Sequence, residues 1–389
     1  MSGSSAEDSR VSGLLPELLR RPVTGITCAA AVAISIAFWS VLDVSALFMR
    51  SRAFGREPWR LVTAALVHAN VVHLAFNVSW VWPFGRAIET RYGALRTAML
   101  YLVLAVAAST AEYAFARGGV GLSGVVYGQF GFLWVAGRRD PRLAEVVKPG
   151  TVRLFVIWFF VCLVLTATRV LEIANIAHAA GWGLGMAIGS AIGAAPTRAR
   201  AWYAAIGGSL ALLVLAATVG RTRVNFDGAV EAELAFDGFE ALQAKDHERA
   251  AALLERAVAR DASQAPWWGY LGCAYFELKR ESNAGDAFER AYRLDPSNAT
   301  ARRNLAGHKY RSAFAANERG DSAAAEKLYR ECVALQPNDA AAWRNLGITL
   351  QRDGKLREAL TAYHKSLELD ANQDDLRDAV EHIEDRLER

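Results

Sequence analysis

Three short segments put polar side chains into otherwise apolar sequence, at spacings that could do chemistry. The first reads His68-Ala-Asn-Val-Val-His73-Leu-Ala-Phe-Asn77, and the second Gly121-Leu-Ser123-Gly124-Val-Val-Tyr127-Gly128. The third reads Ala177-His178-Ala-Ala-Gly181-Trp-Gly-Leu-Gly185-Met-Ala-Ile-Gly189. A serine hydroxyl beside an imidazole base is the minimum for acyl transfer. Ser123 and His178 can supply that pair if their segments meet. The tetrahedral intermediate of such a reaction needs donors aimed at its oxyanion. His73, Asn77 and the backbone amide of Ser123 are the available candidates. No third carboxylate is evident in the three segments. Tyr127, one turn from Ser123, is placed to stack on the imidazole and orient it.

The elements that must position these groups are helices. His73 and Asn77 are four residues apart and share a helical face, as do Ser123 and Tyr127. Gly181, Gly185 and Gly189 form a small-residue stripe that admits a second helix at close range, and Gly124 and Gly128 provide the facing small positions. Packing one stripe on the other predicts that Ser123 approaches His178. The Gly118-Gly119-Val-Gly121 run gives the loop before the serine its backbone freedom. His68 reads as an ordinary interfacial residue.

A helix crossing a bilayer needs about 20 mostly apolar residues. Candidate spans run from Val23 to Met49, Val67 to Ile88, Ala98 to Phe115, Leu122 to Ala136, Leu154 to Thr168, Ile173 to Ala194 and Trp202 to Val219. The first is too long for a cleavable signal peptide and reads as a signal anchor. Lys and Arg gather in alternate connections: Arg10, Arg20 and Arg21, then Arg86, Arg91 and Arg96, then Arg138, Arg139, Arg142, Lys148 and Arg153, then Arg198 and Arg200. They outnumber Arg50, Arg52, Arg56, Arg60, Arg117 and Arg169 in the other set, which places the N-terminus in the cytoplasm. An odd number of spans then puts everything after Val219 on the opposite side.

At 389 residues the chain is long for one domain, and its composition changes near Gly220 from apolar to charged and Ala-rich. The net charge of +4 is small and no basic tract is present, so no nucleic-acid partner is expected. Cys28, Cys162, Cys273 and Cys332 lack disulfide-framework or metal-finger spacing, and neither a metal nor a cofactor is expected.

The Gly-x-Ser-Gly segment at Gly121 to Gly124, the His68…His73…Asn77 spacing and the Ala-His-x-x-Gly segment at Ala177 to Gly181 together resemble the bacterial rhomboid proteases. Trp59-Arg60 is similar to the Trp-Arg pair of that family's first outer loop, so the resemblance covers roughly Trp59 to Gly189. It implies Ser123 as nucleophile and His178 as base, with His73, Asn77 and the Ser123 amide as oxyanion hole and Tyr127 supporting His178. It also implies transmembrane protein substrates, cut near the outer membrane boundary at small or helix-destabilising residues. Ala64 departs from relatives that carry a further histidine there.

Beyond Arg221 a repeat of about 34 residues appears, the tetratricopeptide length. Its clearest copy has Trp268, Leu271, Gly272, Tyr275, Ala284, Phe288, Ala291 and Pro296, and a later one Trp343, Leu346, Gly347, Leu350, Gly354, Ala359 and Tyr363. Repeats begin near Glu231, Ala265, Ala306 and Ala340, with an insertion around Ala299 to Leu305. The charged segment from Gln373 suits a capping helix.

The expected fold is all-α: a polytopic membrane bundle followed by an α-solenoid. Its parts are an N-terminal cytoplasmic segment (1–22), a six-span rhomboid-like core (23–195), a seventh span (196–220), a linker (221–230), four repeats (231–373) and a capping helix (374–389). The function expected is an intramembrane serine endopeptidase of the bacterial inner membrane, with extracytoplasmic repeats that bind a protein or peptide partner. The alternative is an inactive membrane adaptor that binds transmembrane segments. A transporter fits poorly, since no inverted repeat or mid-span acidic residue suggesting ion coupling is seen.

Overall fold

The computed structural model describes residues 17, 19–40, 42–225 and 227–388, and among these there is no β-strand. The expected segment 1–22 lies almost wholly outside the described residues. The chain divides into two compact units, residues 1–230 and 231–389.

The first unit is a membrane bundle of seven longer helices: α1 (Pro22–Trp39), α2 (Val71–Tyr92), α3 (Ala94–Phe115), α4 (Ser123–Ala136), α5 (Pro149–Ala167), α6 (Asn175–Ala191) and α7 (Pro196–Ala217). By length and apolarity α1, α3, α5 and α7 can each cross a membrane alone, and α2 forms a bent pair with the short helical stretch Arg60–Leu66, at 106°. The remaining two are short. At 1.5 Å per residue, the 14 residues of α4 reach about 21 Å, against a hydrocarbon core of about 30 Å. That length falls short of a full crossing, and Ser123 is the first residue of the helix.

The first span ends at Trp39, not at Met49 as its apolarity suggests. The Ser40 hydroxyl turns back to the Ile36 carbonyl (2.7 Å), and the Asp43 carboxylate accepts the Ser45 amide (2.8 Å), so the polar residues close the helix and open a turn. The loop that follows is tied down by Arg60. Its guanidinium is buried, donates to the carbonyls of Ser45 (2.7 Å) and Phe48 (2.8 Å), and pairs with Glu57. The start of α1 is held from another helix. Glu89 of α2 accepts the backbone amides of Val23 and Thr24, both at 3.0 Å, and the Thr24 hydroxyl at 2.7 Å. That satisfies donors which a helix N-terminus leaves free in a medium without water.

In the second unit, helices pair as α8 (Ala229–Gln243) with α9 (His247–Arg260), α10 (Ala265–Glu277) with α11 (Glu281–Leu294), α12 (Ala299–Glu318) with α13 (Ser322–Leu335), and α14 (Ala340–Arg352) with α15 (Leu356–Leu369). The residues read as an insertion at 299–305 form no loop; they lengthen α12 at its N-terminus to 20 residues. Asn298 caps it, accepting the Thr300 and Ala301 amides at 2.9 and 3.0 Å. Ala250, Ala257, Ala284, Ala291, Ala325 and Ala359 are fully buried, so the helices approach closely and the Phe288, Tyr329 and Tyr363 rings fill the space between. A final helix, α16 (Asp374–Glu388), buries Leu376, Val380 and Ile383 and leaves its charged face outward. The unit is a tetratricopeptide-type α-solenoid.

Candidate active site

The packing of α4 on α6 builds the site, and it follows from glycine. A Cβ at Gly181 would overlap the Gly124 carbonyl oxygen, and one at Gly185 would overlap that of Gly128. A Cβ at Gly189 would lie 2.8 Å from the Phe132 carbonyl oxygen. These pairings rise together along both helices, so α4 and α6 run parallel. Ser123, first in α4, and His178, fourth in α6, therefore lie at the same end of the bundle. Both helices also direct the positive ends of their dipoles toward that end, where negative charge is stabilised.

Tyr127 lies against His178, with ring centroids 4.6 Å apart and planes 26° from parallel. The Tyr127 hydroxyl donates to the Phe155 carbonyl at 3.3 Å, and its ring packs edge-on to Phe155 and Phe159. The tyrosine is thereby fixed from α5 while it presents a face to the imidazole. His178 is 4% exposed, and among the described residues its Nδ1 has no hydrogen-bond partner. Its helix is tied to α5 by Asn175, which donates to the Thr166 hydroxyl at 2.8 Å.

The loop before Ser123 is shaped by α2. Gly121 has φ +105°, a conformation glycine adopts without strain, and a Cβ there would press into the His73 ring. His73 therefore packs against the backbone of Gly121, two residues before Ser123. Asn77, one turn further along α2, is fully buried, and both its amide atoms lack a partner among the described residues. Buried polar atoms are almost always paired. Asn77 thus keeps an unpaired carboxamide on the helix that carries His73. Ser109, Glu112, Gly121, Ser123, Gly124 and Ala177 share the lining of one small cavity.

Two neighbours of these residues escaped the sequence reading. His68 is not interfacial; it is fully buried. Its Nε2 accepts the Leu122 amide at 3.2 Å, which leaves Nδ1 as the protonated nitrogen, facing the Leu66 carbonyl at 3.1 Å and Ser35 at 3.2 Å. It thus holds the residue before the serine, and its ring meets His73 edge-on at 5.0 Å. The second is Glu112 of α3, 6% exposed, whose carboxylate accepts the Ala177 amide at 2.8 Å. An acidic residue within an apolar helix is itself the signal that could have found it. Trp59 and Arg60 stay apart from these groups: Trp59 donates to the Ala46 carbonyl at 3.1 Å, so the pair secures the first loop.

The connection leaving the bundle returns to the same end. After α7, Arg221 is buried over the Tyr113 ring, 3.6 Å from its centroid, and donates to the Tyr113 carbonyl (2.9 Å) and hydroxyl (2.8 Å). Asn225 donates to the Ala116 carbonyl at 2.9 Å. Tyr113 and Ala116 mark the end of α3, whose loop runs directly into Ser123.

Comparison with known proteins agrees with both units. Residues 55–195 match the Rhomboid domain family, and residues 231–377 match the cytochrome c-type biogenesis protein H TPR domain. Among solved structures, MamA is 22% identical, with 37% of this chain and 81% of that one covered and a TM-score of 0.29. A MamA fragment from Desulfovibrio magneticus RS-1 is 19% identical over 41% and 86%, with a TM-score of 0.30. YrrB, described as a TPR protein with an unusual peptide-binding site, is 22% identical over 40% and 77%, with a TM-score of 0.31. The membrane bundle therefore contains a segment that matches the Rhomboid domain, and the helical repeats after it match a tetratricopeptide domain.

Proposed function

We propose that the chain is an intramembrane serine endopeptidase that cleaves transmembrane proteins near the outer membrane boundary. The observation that carries this reading is the parallel packing of α4 on α6, which brings Ser123 and His178 to one end of the bundle with Tyr127 stacked on the imidazole. Ser123 Oγ attacks the scissile carbonyl while His178 takes its proton. The oxyanion is met by the Ser123 amide, one of the free donors at the start of α4, and by the carboxamide of Asn77 and the imidazole of His73. His178 then passes the proton to the leaving amine as the C–N bond breaks. Water, deprotonated by the same imidazole, releases the acyl group and restores the serine.

The tetratricopeptide domain serves protein or peptide recognition in this reading. Its linker starts at the end of the bundle that holds Ser123. It can therefore engage the part of a substrate, or of an associated partner, that projects from the membrane on the cleavage side. With the N-terminus cytoplasmic in a bacterial inner membrane, that side is extracytoplasmic.

The test is cleavage of a model transmembrane substrate in liposomes by the wild type, Ser123→Ala and His178→Ala. Cleavage lost in both variants is the expected result. Cleavage that survives Ser123→Ala overturns the assignment, and a wild type that neither cleaves nor reacts at Ser123 with a fluorophosphonate points to a binding protein instead.

A further inference from the structure

We infer that Glu112 supplies the acidic partner of His178, as a positioning residue acting through the first turn of α6 without touching the imidazole. The inference deepens the protease reading and rests on it for its purpose. In serine triads the carboxylate sits on Nδ1 of the base and stabilises the imidazolium formed during attack. Here Nδ1 of His178 is buried and has no such partner among the described residues. His178 is the fourth residue of α6, so the imidazolium forms beside the positive end of that helix, equivalent to about half an elementary charge. The parallel α4 brings a second positive end to the same place. Left alone, the two helix ends oppose the proton transfer from Ser123.

Glu112 sits where it can offset this. Its carboxylate is buried, binds the Ala177 amide in the first turn of α6, and lines the cavity beside Ser123. The residue it binds immediately precedes His178. It enters from α3, far from the three motif segments in sequence, and the cap it makes fixes the end of α6 and sets an ionisable carboxyl group there. The other titratable groups around the pair are few. His73 from α2 and Tyr127 from α4 face the imidazole, and Cys162 of α5 lies beyond Tyr127. Asp227, after α7, faces Glu112 and is itself 4.0 Å from Arg117. Apart from Glu112, none of these places a carboxylate on the first turn of α6.

The experiment is an NMR titration of ¹³C-labelled histidine in the full-length protein in micelles, with the His178 resonance identified by its loss in His178→Gln. Glu112→Gln keeps an acceptor oxygen for the Ala177 amide and removes the charge. The expected result is a His178 midpoint displaced to lower pH by about one unit, the size of effect a nearby opposite charge produces. An identical midpoint in the variant, or a His178 resonance that titrates in neither protein, overturns the inference. If Glu112→Gln does not fold, Glu112→Asp withdraws the charge by one methylene and must still lower the midpoint, and an unchanged value again overturns it. Fluorophosphonate labelling of Ser123 on the same samples separates the two readings. An inert serine with a Glu112-dependent midpoint sinks the protease and leaves the electrostatic role standing.

Discussion

The Tyr127 and His178 rings stack at 4.6 Å while the Tyr127 hydroxyl is anchored to the Phe155 carbonyl of a third helix. The imidazole is therefore held by a face, not by a hydrogen bond to its distal nitrogen. This distinguishes what the ring does from what the hydroxyl does. Tyr127→Phe keeps the face and loses one neutral hydrogen bond, worth about 1 kcal/mol, so kcat should stay within about threefold of wild type. Tyr127→Ala leaves the imidazole free to rotate, and kcat should fall by about a hundredfold or more, the scale of losses from small misplacements of reacting groups. Steady-state cleavage of one transmembrane substrate by the three proteins decides it, and equal losses in Phe and Ala variants would contradict the stacking role.

Gly181 and Gly183 are two residues apart on α6 and face opposite ways. A Cβ at Gly181 meets the Gly124 backbone, which cannot yield without moving α4, whereas a Cβ at Gly183 meets nothing within 4 Å. Gly181→Ala should destabilise the bundle by about 1–3 kcal/mol through overpacking and should reduce cleavage sharply. Gly183→Ala should leave both unchanged. Thermal unfolding in detergent, followed alongside cleavage, reads both. Two variants of equal stability would count against the close helix contact.

His68 has a measurable role in loop stability. Removing its imidazole leaves the Leu122 amide without its acceptor, a cost of about 1–3 kcal/mol for a buried group. His68→Ala should lower both stability and the rate of Ser123 labelling by a fluorophosphonate. His68→Gln, whose side-chain carbonyl can accept the same proton, should recover part of each. A His68→Ala protein labelled at the wild-type rate would show that the loop keeps its shape without this bond.

The glycine stripes made the α4–α6 contact legible in sequence, because close helix packing leaves a periodic record. The approach of Ser123 toward His178 could be read from that record, whereas His73, Asn77 and Tyr127 came from their own four-residue spacing and from the family resemblance. The roles of His68 and Glu112 could not, since each is defined by a bond to a backbone amide 54 or 65 residues away and a contact made once has no period. The end of α1 was misplaced for a related reason. Apolarity continues past Trp39, and the Ser40 and Asp43 bonds that close the helix are local polar details beneath an average. In the repeats, spacing located the extra residues at 299–305 but not their form, because a helix lengthened by two turns and a loop of equal length give the same offset.

The solenoid should weaken in mild acid through His308. Burial holds this imidazole below its usual pKa, opposed in part by Glu281 at 3.8 Å. A histidine with a lowered folded-state value binds its proton more readily when unfolded. Its contribution is therefore fully present above the unfolded value near 6.5 and is lost as pH falls below it. Amide exchange over residues 281–318 of the full-length protein should be faster at pH 5.5 than at pH 7.5, after correction for intrinsic rates. His308→Gln should shrink that difference. The same pH dependence in the variant would assign the effect to other groups.

The clamp of Arg221 on Tyr113 and of Asn225 on Ala116 fixes where the repeat domain leaves the bundle. Residues on the connector and on the loop before Ser123 must then share one side of the membrane, whichever side that is. In a background with the four native cysteines replaced, single cysteines at Arg117 and Arg223, both exposed, should react alike with a membrane-impermeant maleimide added to intact cells. A cysteine at exposed Arg142, which follows the opposite end of α4, should react only after the cells are permeabilised. Under the orientation proposed above, the first pair should be the extracytoplasmic one. Opposite labelling of Arg117→Cys and Arg223→Cys would mean that α7 does not return to the serine end in the membrane. The repeats would then be separated by the bilayer from any cut made there. Matching labels from outside would put the repeats on the side where the substrate emerges, and deletion of residues 231–389 should then raise KM for full-length substrates more than it lowers kcat.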